Sequence, residues 1–417
     1  MLLIYRILIN FILLISPVIL IYRILKKKEH PRRCLEKIGI INKKRNKGKL
    51  IWFHGSSVGE ILSVIPLIES LERKKNIKHI LLTSNTLSSA NVFKKIKLKK
   101  TIHQFLPVDS NYIVNRFLDY WKPSSIFIIE SEIWPNLIIN IKKRNIPLGL
   151  INARITKKSY KKWQKISFFS KLVFNKFDFC LTQNTETNNY LKKLGAKNVK
   201  KIGNLKFSET SLMNIDTINN NIKKFFSSKQ ILFAGISTHP SEEIFCANIH
   251  LILKKKYPNG ITIIIPRHIH RSAEIKEEIE KLGLKVHLHS LNKTKIDKKT
   301  DIYLVDTFGE TKSFLKVCKI VFLGGSLIEH GGQNPLEAAR FGCKVIHGPN
   351  ILNFYEVYNL LNKNKISLRV KSVNSAKNII KQNLIKRFSS KIIINKLNSI
   401  GNKVLIKNHK EILKYIK

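Results

Sequence analysis

The sequence predicts an α/β protein built from two doubly wound, Rossmann-like halves, preceded by a membrane helix. Three observations lead there. Short apolar runs alternate with amphipathic stretches along most of the 417 residues. The alternation breaks at a polar, asparagine-rich segment, Ser208 to Lys229, and then restarts. Each half opens with a strand that empties into a small-residue loop and a helix, around Ser57 in the first and Ser241 in the second. Apolar strands separated by helices indicate parallel βαβ order, and this length exceeds what one core usually supports. The expected organisation is a membrane anchor with a basic flank (1–28), a first Rossmann-like domain (29–207), a linker (208–229) and a second Rossmann-like domain ending in helices (230–417), with a cleft between the two.

Residues Ile7 to Tyr22 form an apolar run broken only by Asn10 and Ser16-Pro17, flanked by Arg6 and by Arg23, Lys26, Lys27 and Lys28. Leu2 to Leu25 could cross a bilayer if both arginines snorkel, and the heavier positive side follows the run, which places the body in the cytoplasm. No small-x-small cleavage site follows it. A helix lying in the interface, continued by the basic segment through Arg33, is the alternative.

In the first half, Lys49 to Phe53 reads as a strand leading to His54-Gly55-Ser56-Ser57-Val58-Gly59-Glu60 and the helix Ile61 to Leu71. Ser57 and Glu60 have capping-box spacing, so Glu60 is either a helix cap or a carboxylate placed where open α/β sheets bind ligands. His79 to Thr83, Gln104 to Pro107, Ile126 to Ile129, Pro147 to Asn152 and Phe179 to Thr182 read as further strands, with helices at Ser88 to Lys94 and Val114 to Trp121. The fourth strand ends on Glu130-Ser131-Glu132, and two acids there are costly unless solvated or used.

In the second half, strands are expected at Gln230 to Gly235, Ile261 to Ile265, Ile302 to Val305 and the run into Gly324. Their ends carry Pro266-Arg267-His268, Asp306-Thr307-Phe308-Gly309-Glu310 and the loop Gly324 to Glu337. Asn334 suits an N-cap, Pro335 the first helical position and Glu337 the first turn, with Gly342 closing a helix from Leu336 to Phe341. Bare amides there suit a phosphate or a ribose, and an ordinary capped crossover helix fits the spacing equally. Polar residues at so many strand ends exceed what capping requires, and a nucleotide site accounts for the set. His268 and His270 lack a third ligand for a metal.

A hydrophobic fraction of 43% supports packed cores, and five scattered cysteines without a C-x-x-C pair argue against disulfides or a zinc cluster. The balance of 76 Lys+Arg against 27 Asp+Glu, formally +49, suits an anionic partner, but the lysines are spread along the chain together with abundant isoleucine and asparagine.

The sequence resembles the 3-deoxy-D-manno-octulosonic acid (Kdo) transferases of lipid A assembly. The resemblance rests on SSVGE at 56–60, FLPVD at 105–109, ESEIWPNL at 130–137, NARI at 152–155 and GNLKF at 203–207, then AGISTHPSEE at 234–243, PRH at 266–268, DTFGE at 306–310 and GGSLIEHGGQNPLEAA from Gly324. It implies a GT-B fold and an inverting glycosyltransferase moving one or more Kdo residues from CMP-Kdo to a phosphorylated lipid A precursor, lipid IVA. The first domain would bind acceptor and the second the nucleotide sugar. The enzyme would sit on the cytoplasmic side of the inner membrane, on a single-pass anchor. Glu60 would be the general base, with Glu130 and Lys206 supporting the transition state. Pro266, Arg267, Phe308, Gly309, Glu310, Asn334, Pro335, Leu336 and Glu337 would hold CMP, Glu337 at the ribose and the amides after Asn334 at phosphate. The family pattern implies no metal and no cofactor, which agrees with the lack of an Asp-x-Asp motif in a suitable loop.

The family commonly has methionine at Phe308, histidine at Gln333, proline at Ala338 and glycine at Ser241. A sugar-nucleotide epimerase would share the architecture but need no anchor. A nucleic-acid binder would explain the charge but not the strand-end acids, and the chain lacks an aromatic-basic recognition motif, so no nucleic-acid partner is expected.

Overall fold

A computed structural model describes residues 1–41, 43–209, 218–291, 296–386 and 389–416. The chain divides into two compact units, Met1–Ser211 with Ile400–Lys417, and Leu212–Ser399. The second unit thus ends earlier than the expected 230–417, and the end of the chain returns to the first. Residues 220–227, expected as linker, form a helix whose Ile222, Phe225 and Phe226 are buried.

The first unit holds β1 (Leu50–His54), β2 (His79–Ser84), β3 (Thr101–Phe105), β4 (Ser125–Ile129), β5 (Leu148–Ala153), β6 (Phe179–Thr182) and β7 (Val199–Lys201). They form one parallel sheet in the order β3-β2-β1-β4-β5-β6-β7. The direction of winding reverses between β1 and β4, and the crevice beyond the strand ends at such a point is where open α/β sheets bind ligands. The sequence LIWFH explains the central position of β1. Successive side chains face opposite sides, so Leu50 and Trp52 enter one apolar cluster while Ile51 and Phe53 enter the other, all at 1% exposure or less. Between β5 and β6, Gly149 pairs with Phe179, and a Cβ at Gly149 would lie 2.3 Å from the phenyl ring. Ring and side chain cannot both fit, so glycine is required there.

The second unit holds β8 (Gln230–Thr238), β9 (Gly260–Pro266), β10 (Val286–Leu288), β11 (Ile302–Leu304), β12 (Ile320–Leu323), β13 (Lys344–His347) and β14 (Ser367–Arg369). Its parallel order is β10-β11-β9-β8-β12-β13-β14, with the reversal between β8 and β12. Two doubly wound sheets agree with the expected GT-B class. Gly324, just past β12, is obligatory for a steric reason: a Cβ there would sit 2.2 Å from the Ser237 carbonyl oxygen.

Most strands that differ from expectation are short or at sheet edges; the central β8 also differs, running three residues past the expected Gly235. β3 begins three residues before the expected Gln104, and β10, β13 and β14 run only three or four residues each.

The N-terminal helix, Leu2–Leu25, has a mean hydropathy of 2.3 over its most apolar window. Pro17 lacks the N–H that would bond the Leu13 carbonyl, and the Ser16 hydroxyl donates to that oxygen instead at 2.7 Å. The Ser16-Pro17 break is therefore repaired locally. Arg6 does not snorkel: its guanidinium donates to Asn136 Oδ1 at 3.0 Å and to Asn111 Oδ1 at 3.2 Å.

Candidate active site

At the first reversal, the loop after β1 starts the helix Val58–Glu72 with Ser57 as N-cap. Ser57 Oγ accepts from the Glu60 amide at 3.3 Å and donates to Glu60 Oε1 at 2.8 Å, while the Ser56 amide donates to Glu60 Oε2 at 2.7 Å. Glu60 therefore caps its own helix and is also held as an oriented, 8% exposed carboxylate. Burial raises its pKa, the neighbouring charges of Glu130 and Glu132 add to the rise, and the bonds from Ser56 and Ser57 only partly oppose it.

Glu130 directly follows β4 with φ of +58°, a left-handed conformation that costs a residue with a Cβ roughly 1–3 kcal/mol and collects at functional sites. Its amide donates to the Ile151 carbonyl at 3.0 Å. Lys206 Nζ lies 2.6 Å from Glu130 Oε1. The lysine rides on the short turn Leu205–Ser208, fixed from two sides: Asn152 Oδ1 accepts the Leu205 amide and Asn204 Oδ1 the Lys206 amide, each at 2.9 Å. The ESE, NARI and GNLKF segments thus converge on one ion pair, and the site brings Glu60, Glu130 and Lys206 together. An added Cβ on Gly59 would lie 3.6 Å from the Lys206 side chain, which places the lysine against the first turn of the Glu60 helix.

Glu132 differs. Burial raises its pKa, but this is outweighed by the hydrogen bond and charge of His54 and by bonds from Trp134 and Asn85, and the net shift is downward. Trp134 Nε1 donates to Glu132 Oε2 at 3.0 Å, Asn85 Nδ2 donates to the same oxygen at 3.3 Å, and His54 Nε2 lies 3.4 Å away. Two neighbouring carboxylates are pushed in opposite directions, the pattern that separates a proton acceptor from a fixed charge. The roles of His54, Asn85 and Asn152 were not read from the sequence. Their shared signal is position: His54 ends β1, Asn85 directly follows β2, and Asn152 is the last residue but one of β5.

In the second unit a pocket of about 480 Å³ opens at the other reversal, lined by Pro266, Arg267, Phe308, Gly309, Asn334 and Glu337 among others. Phe308 is 87% exposed and Gly309 has φ of +94°. Glu337 pairs with Lys312 at 3.6 Å. Glu310, Pro335 and Leu336 do not line it. Glu310 bonds Thr307 and lies 3.0 Å from His289 Nε2, and the Leu336 side chain is buried. The helix starts at Leu336 as expected, but Pro335 rather than Asn334 stands at its N-cap position, and Asn334 Oδ1 accepts the Leu336 amide at 3.1 Å, so this amide is already taken.

The first glycine loop is not bare. Among the described residues, four backbone amides donate to the Glu242 carboxylate: His239 (3.0 Å) and Gly325 (2.7 Å) to Oε2, Ser326 (3.0 Å) and Leu327 (2.9 Å) to Oε1. Glu242 is 0% exposed. It lies in the first turn of its helix, and Ser241 before it has φ of +74° and makes no side-chain cap bond. The amides of this loop thus serve to hold it in shape. Among the described residues, no group of three or more histidine, cysteine or acidic side chains is placed to hold a metal ion.

A family model described as 3-deoxy-D-manno-octulosonic-acid transferase (kdotransferase) matches residues 32–209. A Rickettsia bellii protein described as 3-deoxy-D-manno-octulosonic acid transferase is 33% identical over 373 residues, covering 89% of this chain and 88% of its own length. A Haemophilus influenzae protein of the same description is 27% identical over 410 residues, covering 96% and 94%. Among solved structures, UDP-GlcNAc 2-epimerase from Neisseria meningitidis superposes with a TM-score of 0.56 at 14% identity, over 88% of this chain and 99% of that one. At that identity the likeness is one of fold.

Proposed function

Because the chain belongs to the 3-deoxy-D-manno-octulosonic acid transferase family and is a glycosyltransferase, we propose that it moves Kdo from CMP-Kdo to the phosphorylated lipid A precursor lipid IVA, with inversion. The observation that carries this reading is the pairing, at one sheet reversal, of a carboxylate with a raised pKa, Glu60, and the Lys206–Glu130 ion pair. Glu60 accepts the proton of the acceptor hydroxyl as that oxygen attacks the anomeric carbon and the bond to the CMP phosphate breaks, CMP leaving with the electron pair. Each Glu60 oxygen receives one hydrogen bond from the serine loop, which leaves a lone pair for the incoming proton. Lys206 supplies positive charge near the developing negative charge, and Glu130 holds its ammonium in place.

The second unit holds the donor. Arg267 and Lys312, with the Gly309 loop, suit a phosphate, and Glu337 suits ribose hydroxyls. The basic surface suits a phosphorylated lipid in the inner membrane. No metal takes part, so EDTA leaves the rate unchanged; loss of activity restored by a divalent cation would contradict this. The decisive assay follows transfer from CMP-Kdo to lipid IVA by mass, and a well-folded protein that adds no Kdo would end the reading. Lys206→Met is expected to lower kcat by about 10²–10³-fold while CMP binding persists. An unchanged kcat would reduce the ion pair to a structural one.

A further inference from the structure

The N-terminal helix is attached to the first unit near both of its ends. In its first three turns, Tyr5 Oη donates to Asp109 Oδ2 at 2.7 Å, Arg6 bonds Asn136 and Asn111, and Ser110 Oγ donates to Asn10 Oδ1 at 3.1 Å. At its other end Arg23 Nε donates to Glu29 Oε1 at 2.8 Å, and the same oxygen takes Lys37 Nζ at 2.6 Å, which also bonds the Asn85 carbonyl. The residues shielded from solvent between these points, Ile9, Leu13, Ser16 and Leu20, recur at helical spacing and form one stripe. The opposite face is apolar and exposed, with Leu3 at 70% exposure, Phe11 at 61%, Leu14 at 76% and Val18 at 71%.

This attachment excludes a simple span. A helix of 24 residues is about 36 Å long, and the hydrocarbon core it would cross is about 30 Å thick. If it crossed, Tyr5 and Arg6 would emerge on the far side, out of reach of Asp109 and Asn136, which belong to the same folded unit as Glu29 and Lys37. Two tethered ends and a one-sided apolar face describe a helix lying along a membrane surface. Lys26, Lys27, Lys28 and Arg32 follow it and match anionic headgroups in charge.

We propose that Leu2–Leu25 is an in-plane membrane-docking helix, latched to the first unit by Tyr5, Arg6 and Asn10, with its outer face seated at the headgroup boundary of an anionic phospholipid bilayer. The latch also reaches the active-site side of the fold. Asp109 accepts the Asn136 amide at 2.9 Å and the Leu137 amide at 2.8 Å, and so caps the helix Pro135–Lys143 directly after the loop that carries Glu130 and Glu132. One carboxylate therefore fixes both the lipid-facing helix and the exit of that loop, which gives the FLPVD and WPNL segments a common purpose. The proposal deepens the reading of the enzyme as membrane-bound but does not depend on Kdo chemistry.

The test uses the full chain with a protease-cleavable tag ahead of Met1, in inverted inner-membrane vesicles with the cytoplasmic face outward. Protease added outside is expected to remove the tag without detergent. A tag protected until detergent is added would establish a span and overturn the proposal. A second variant, Tyr5→Phe/Arg6→Gln/Asn10→Leu, changes only the helix. It should remain on vesicles containing phosphatidylglycerol and keep CMP affinity, while its transfer to a membrane-embedded acceptor falls about tenfold. Unaltered transfer would remove the latch from the proposal. A native chain whose tag is cut but which adds no Kdo would sink the proposed function and leave the docking mode standing.

Discussion

Glu60→Gln is expected to lower transfer by about 10²–10⁴-fold, the usual contribution of a general base, while the helix start survives. The glutamine carbonyl can accept the Ser56 amide and its Nε2 can donate to Ser57 Oγ, so both contacts with the serine loop persist in altered form. Native activity should rise with pH through the raised pKa of Glu60, with an acid limb above the ordinary glutamate value of 4.5. The sign for stability is the opposite of that for rate. A carboxyl whose folded pKa is raised by burial contributes stability that is present below its unfolded pKa and lost as pH rises through the folded one. At neutral pH the charged form is therefore a burden on the fold, and the amide variant should melt no lower than the native protein. A calorimetric scan beside the transfer assay checks both statements. A variant that transferred normally would return Glu60 to the role of helix cap.

Replacing Glu242 should injure the second unit without touching any reacting atom. Glu242→Ala strands four amides, three of them buried and one part-buried, and each unsatisfied buried donor costs about 1–3 kcal/mol. Even partial relaxation leaves several kcal/mol, which for a unit of this size shifts melting by on the order of 10 °C. Glu242→Gln is also expected to be severe, because its amide group would point hydrogens at backbone N–H donors. Thermal unfolding and CMP binding should fail together; a Glu242→Gln protein with native melting and native CMP affinity would show that the carboxylate is dispensable.

Residues that signal through their own neighbours were legible. The alternation of LIWFH with an apolar helix, and the spacing of Ser57 and Glu60, specify β1 and its exit locally, and the structure follows them. Asn334 and Gly342 likewise mark the ends of the Leu336–Arg340 helix to within a residue. Glu242 was not legible, because three of its four partners lie 83 to 85 residues further along and a glutamate in a first helical turn already has an adequate local explanation. β10 and β14 are three residues long, too short to display a period. Asn10 looked like an interruption of a membrane run and instead accepts a bond from Ser110, a distinction that no linear pattern carries.

The return of Ile400–Lys417 to the first unit bears on how the protein is made. Ile412 is fully buried in the apolar cluster beside β1, Tyr415 stacks on Phe179 with ring centroids 4.3 Å apart, and the Tyr415 carbonyl accepts the Ser125 hydroxyl at 2.6 Å. On the ribosome, the first sheet can form once Ser211 has emerged, but its flank stays open while roughly 190 further residues are added, a wait of about 10–40 s at ordinary elongation rates. During that interval the nascent chain exposes the apolar surface destined for its last turns. Early release, by a stop codon or a stalled ribosome after the second unit, would yield a protein with an intact second unit and an uncovered, aggregation-prone first unit.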